Sequence, residues 1–139
     1  MNEARQHRGS FYVVVKRLNA EKDYFDRVWK TQPRVMAAFG QQAEDIFLRL
    51  HRARAMIDGA CEILASLGPD YPDRSKKDEI DCYLQLRADI WVSRGSDGLD
   101  KDRVGRMLTE FKSGLEELCR PTIDLQYRKN QQSERYSSP

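Results

Sequence analysis

The run Arg49-Leu50-His51-Arg52-Ala53-Arg54 places four basic side chains within six residues and includes no acid. At helical spacing Leu50 and Ala53 share an apolar stripe, Arg49 and Arg54 flank it, and His51 and Arg52 point away. Guanidinium forks match the oxygen geometry of phosphates and carboxylates. One chemistry open to Arg49, His51, Arg52 and Arg54 is therefore anion binding, the phosphates of a nucleic acid included. The competing reading is a helix flank whose arginine stems cover apolar surface while their heads reach water or acids on the next helix. The even mixture of charge elsewhere favours this second reading. His51 as a general base would need a nucleophile and an orienting group, and neither is local to it. His7 sits in the polar start of the chain and reads as solvated.

Other candidate chemistry is sparse. Asp78, Glu79 and Asp81 form one acidic group, and Asp97, Asp100 and Asp102 form another in a Gly-containing turn. The second group invites a calcium reading, but the twelfth position counted from Asp97 is Leu108, where a calcium loop needs a bidentate Glu. Acids near the start of a helix explain both groups better. The sequence has no C-x-x-C, H-E-x-x-H, phosphate-binding glycine loop or G-x-S-x-G. No catalytic residue, cofactor or metal site is assigned. Cys61, Cys82 and Cys119 are too few to pair completely, and each falls in a helical pattern, so they read as reduced, half-buried core residues of a cytoplasmic protein. Trp29 and Trp91 lie on apolar helical faces and read as core residues, with a partner-binding anchor as the alternative.

The elements that must position these groups are helical. Of 139 residues, 40% are hydrophobic and 33% charged, enough apolar content for one folded domain over residues 1–139. The formal net charge of +2 argues against a strongly basic nucleic-acid binder, although residues 1–32 are locally basic. No stretch approaches the ~20 apolar residues of a membrane span, and no secretory signal is legible. Residues 1–9 and 126–139 are polar and are expected to fray.

Ser10 is a candidate cap for a first helix from Phe11 to Lys30, with a short strand at Phe11–Val15 as the competing assignment. Thr31-Gln32-Pro33 reads as a break and restart. From there Met36, Phe39, Ala43, Ile46, Leu50, Ala53, Ile57, Ala60, Leu64 and Leu67 recur at spacings of three and four. That spacing predicts a single helix of roughly 50 Å, in which Gly40 or Gly59 could mark a bend. Gly68 and Pro69 stop it. Ser75 opens a third helix carrying Ile80, Tyr83, Leu84, Ala88 and Trp91. Asp100 caps a fourth, which Pro121 ends or kinks.

Phe39-Gly40, Ala43, Phe47, the apolar helix to Leu67, Ile90-Trp91 and Cys119-Arg120-Pro121 resemble the C-terminal helical part of a diffuse set of uncharacterised bacterial proteins. Members of that set often carry an N-terminal membrane anchor, and no membrane segment is expected in these 139 residues. The resemblance spans about residues 25–123 and implies an all-helical domain with no established activity.

The expected fold is all-α, an antiparallel helical bundle of about four helices built on one long central helix. A central helix longer than its neighbours leaves apolar seam uncovered. The expected use of Met36, Phe39, Ile46, Leu50, Ile57 and Leu64 is thus a homodimer seam. The functional expectation is a non-enzymatic, self-associating interaction protein, with a protein partner as a further possibility. Nucleic-acid or anion binding through Arg49–Arg54 is the alternative. A ligand-binding bundle or unfamiliar enzyme, with Arg54 and Arg87 as inward charges, is the second alternative.

Overall fold

The computed structural model of the protein describes residues 3–68, 70–90 and 102–137. It contains five helices: α1 (Glu3–Ala20), α2 (Lys22–Phe39), α3 (Gln41–Ser66), α4 (Lys77–Ile90) and α5 (Arg103–Ser137). Among the described residues there is no strand, and Phe11–Val15 is helical. The other four helices all pack on α3, as expected of an all-α bundle on a central helix.

The apolar pattern explains the centrality of α3. It supplies most of the buried apolar side chains, including Ile46, Phe47, Leu50, Cys61 and Leu64, and neighbours add Phe11 from α1 and Val104 from α5. Ala43, Ala53 and Ala60 are buried between the large residues and let adjacent backbones come close. On the α5 side the closest approach is at Gly114. A Cβ there would lie 3.1 Å from Ile46 Cγ1, so the glycine admits the Ile46 side chain. Phe47 meets Phe111 edge-on at 5.6 Å between centroids, and Arg49 pairs with Glu110, so α5 runs antiparallel to α3.

The single helix expected from Pro33 to Leu67 is two helices. Gly40 adopts φ 76° and ψ −155°, a conformation essentially confined to glycine. Its N–H closes α2 on the Met36 carbonyl, and its own carbonyl accepts from Ala43 N–H at the start of α3. The 3–4 periodicity runs through the turn because both arms of a helical hairpin direct their apolar rows at each other. Conversely, Thr31-Gln32-Pro33 is no break. The Thr31 hydroxyl donates back to the Arg27 carbonyl, and Pro33 lies inside α2. The first break falls instead at Glu21, whose N–H still bonds Arg17 and Leu18 carbonyls, so α1 and α2 follow each other almost without interruption. Ser10 lies inside α1, which begins at Glu3 and not at Phe11.

Past α3, Asp73 organises the connection. Its carboxylate accepts from both the N–H and hydroxyl of Ser75, which holds its pKa below the usual carboxylate value. Its N–H donates to Glu79 in the first turn of α4. The proposed cap Asp100 and the core residue Trp91 lie outside the described residues, as do Asp97 and most of their turn. Asp102 accepts from Gly105 N–H at the start of α5. A Cβ at Gly105 would crowd the Asp102 carboxylate and make it turn aside from this cap.

Pro121 does not end α5 but lies inside it. The helix continues to Ser137 through a mostly polar segment. At 35 residues, about 52 Å, α5 is the long helix of the fold, and α3 at 26 residues spans about 39 Å.

Candidate functional site

The basic run on α3 disperses. Arg49 Nε lies 3.1 Å from Glu110 Oε2 on α5. Arg54 Nε lies 3.8 Å from Asp58 Oδ2 one turn along α3, and its guanidinium sits 4.0 Å above the Phe25 ring of α2. Arg52 is exposed. A cluster intended for one anion would aim its forks at a common point. Here two of the three guanidinium groups already meet acids, and the run divides between α5, α2 and solvent. Arg87, expected to face inward, is exposed, with its guanidinium 5.7 Å from the Tyr83 ring centroid.

His51 does not point away. It is half-buried against α2, where its ring stacks on Trp29 at 4.1 Å with planes 16° apart. Its Nε2 lies 2.7 Å from Gln32 Oε1, so the ring donates there and the neutral tautomer carries its proton on Nε2. Burial, then the Arg54 charge, lowers the pKa of His51 below 6.5. No nucleophile or carboxylate bonds to His51 among the described residues, so the geometry is that of an interhelical clamp. Trp29 is 55% exposed and not a core residue, because one face of its ring is covered by His51 and the other is open. α2 has no buried residue, and this clamp, with Arg54 on Phe25, joins it to α3 beside its half-buried apolar residues.

The six seam residues do not share one helix. Met36 and Phe39 are on α2, across the Gly40 turn, and Ile46, Leu50, Ile57 and Leu64 are on α3. Ile46, Leu50 and Leu64 are buried within the chain, and Met36, Phe39 and Ile57 are half-buried. Of the cysteines, Cys61 is buried and Cys119 half-buried, but Cys82 is exposed, because it occupies the outer face of α4. Burial, then the Asp58 charge, raises the Cys61 pKa.

Two features were not anticipated. The first is Asp89 on α4, at 3% exposed the buried charge of the described fold. Its carboxylate accepts from Arg103 Nε at 2.9 Å, Arg103 Nη2 at 2.6 Å and Gln85 Nε2 at 3.0 Å, joining the end of α4 to the start of α5. The paired carboxylate holds the Arg103 pKa above its ordinary value. An acid between Ala88 and Ile90 in an otherwise apolar stretch was the available signal.

The second is the far half of α5. Every residue from 121 to 137 is exposed, including Ile123 (63%), Leu125 (55%), Tyr127 (64%) and Tyr136 (91%). Since α3 and α5 are antiparallel and Ile46 faces Gly114, α5 passes the Gly40 turn near Pro121 and leaves the bundle there. Where it leaves, Gln42 and Asp45 of α3 with Leu118 and Pro121 of α5 line an open groove.

Among the described residues no helix is long and apolar enough to cross a membrane, and no group of His, Cys, Asp or Glu could hold a metal. Comparison with protein-family models, curated proteins and solved structures finds no match for the chain.

Proposed function

We propose that this protein is a non-enzymatic helical interaction module that self-associates, and that the surface it uses is the projecting half of α5. The supporting observation is the run of exposed helix at residues 121–137. A single helix of about 25 Å with no neighbour is marginal in water. This one carries Pro121, which costs roughly 3 kcal/mol inside a helix. It also exposes Ile123, Leu125, Tyr127 and Tyr136, side chains typical of a contact surface. A second copy laid against it would cover these residues. Leu125 extends the stripe of Val104, Leu108, Phe111, Leu115 and Leu118, by which α5 already packs on α3, so the association would continue an existing packing face.

The placement differs from the seam expected above, since Ile46, Leu50 and Leu64 of that seam are buried within the chain while Met36, Phe39 and Ile57 are half-buried. Anion or nucleic-acid binding through Arg49–Arg54 is less favoured, since Glu110 and Asp58 occupy two of the arginines. Three free cysteines support a reducing compartment, and we place the protein in the cytoplasm.

Sedimentation equilibrium of the full chain beside a 1–120 truncation tests this reading. The full chain is expected at twice its 16.2 kDa mass at tens of micromolar, and the truncation as a monomer. A monomeric full chain, or a truncation that still dimerises, would overturn it.

A further inference from the structure

A groove of about 380 Å³ lies between α1 and α3, lined by Phe11, Tyr12, Val15 and Asn19 on one side and Asp58, Cys61, Glu62 and Ala65 on the other. It falls within the size range of small-molecule sites. We infer that this groove binds a small organic cation, an ammonium group carried on an apolar stem. The lining divides by chemistry in the way such a ligand needs. Buried Phe11 and Cys61, with half-buried Val15, form an apolar surface for the stem. Asp58 and Glu62, one helical turn apart on α3, bring two carboxylates to the same face. Among the described residues no Lys, Arg or His belongs to the lining. Asp58 also pairs with Arg54 at 3.8 Å, long for a charge-assisted hydrogen bond, so a bound ammonium would share this carboxylate with Arg54.

Two further observations agree. Tyr12, 69% exposed, also lines the groove and adds an aromatic ring of the kind that attracts cations. Burial, then the Asp58 charge, pushes up the pKa of the Cys61 thiol, which places the Asp58 carboxylate close to the apolar floor of the groove. The same shift keeps the thiol protonated, which fits a wall of the site and not a nucleophile. The site shares no residue with the projecting half of α5.

The test is a ¹⁵N-HSQC titration of the full chain with n-hexylammonium, beside n-hexanol as the neutral analogue and hexanoate as the anion. Saturable shifts are expected at the amides of Asp58, Cys61 and Glu62 with hexylammonium. Hexanol should bind at least about fivefold more weakly, as lost charge pairing at a half-exposed site implies, and hexanoate should not bind. Glu62→Gln, exposed and uninvolved in packing, should weaken hexylammonium by a similar factor. Adding Asp58→Asn should weaken it further, and the single variant keeps the test sound if the double variant unfolds. Equal binding of hexanol and hexylammonium, no effect of Glu62→Gln, or no saturable shift would each overturn the assignment.

Discussion

Gly40→Ala distinguishes the hairpin from a continuous helix by the sign of its effect. At φ 76° and ψ −155° an L-residue is strained by about 1–3 kcal/mol. Alanine also narrows the unfolded ensemble, which returns roughly 0.4–1 kcal/mol. A Cβ at this position meets nothing within 4 Å, so packing adds no further term. The net expectation is a loss of about 1–2 kcal/mol. Were residues 33–67 one helix, the same substitution would stabilise by about 1 kcal/mol, the ordinary Gly-to-Ala gain in a helix interior. The two outcomes lie some 2–3 kcal/mol apart. Urea unfolding followed by far-UV circular dichroism resolves that gap, provided the m-value is unchanged. A midpoint that stays put or rises would refute the hairpin geometry at Gly40.

Other perturbations follow from the contacts. Asp89→Ala should cost about 2–3 kcal/mol, less than for a fully buried pair because Arg103 is 45% exposed and can turn to water. A double-mutant cycle with Arg103→Ala should give a coupling of about 1–2 kcal/mol, and additive losses would count against the pair. His51 has a lowered folded pKa, so its contribution to stability is complete above the unfolded value of 6.5 and is lost as pH falls through the folded value. Stability should thus decline from pH 6.5 toward 5, and the slope should flatten in His51→Gln; an unchanged slope argues against the clamp. In native protein a maleimide or Ellman reagent should modify exposed Cys82 first and Cys61 only on unfolding, and rapid labelling of Cys61 would contradict its burial.

What was legible in the sequence was the apolar periodicity, which identified α3 and its core positions Ile46, Leu50, Ala53 and Leu64. Periodicity does not say whether neighbouring rows belong to one helix or to two arms that face each other, and so Gly40 passed for a tolerated interior glycine. Pro33 and Pro121 misled in the opposite direction. A proline removes one backbone donor, which a helix can absorb when the residues around it favour helix strongly enough. The basic run was visible, as was Asp58 four positions from Arg54, but Glu110 was not, because it lies 61 positions away from Arg49 along the chain. His51 was read as pointing away because a heptad describes one seam, whereas α3 is covered on several sides. The projecting half of α5 was the hardest to foresee: the mixture of Gln, Arg, Lys and Ser there suits frayed coil and exposed helix equally.

The most direct test of self-association through α5 is a dipolar spin–spin distance measurement. A nitroxide would be placed at Gln131→Cys, mid-way along the exposed segment, with Cys61, Cys82 and Cys119 replaced by serine or alanine. The segment is only about 25 Å long, so any side-by-side pairing of two copies brings the labels within roughly 30–40 Å of each other. The account predicts a defined distance in that range that disappears on dilution with unlabelled chain. An intermolecular background with no resolved distance at 100 µM or so would contradict it.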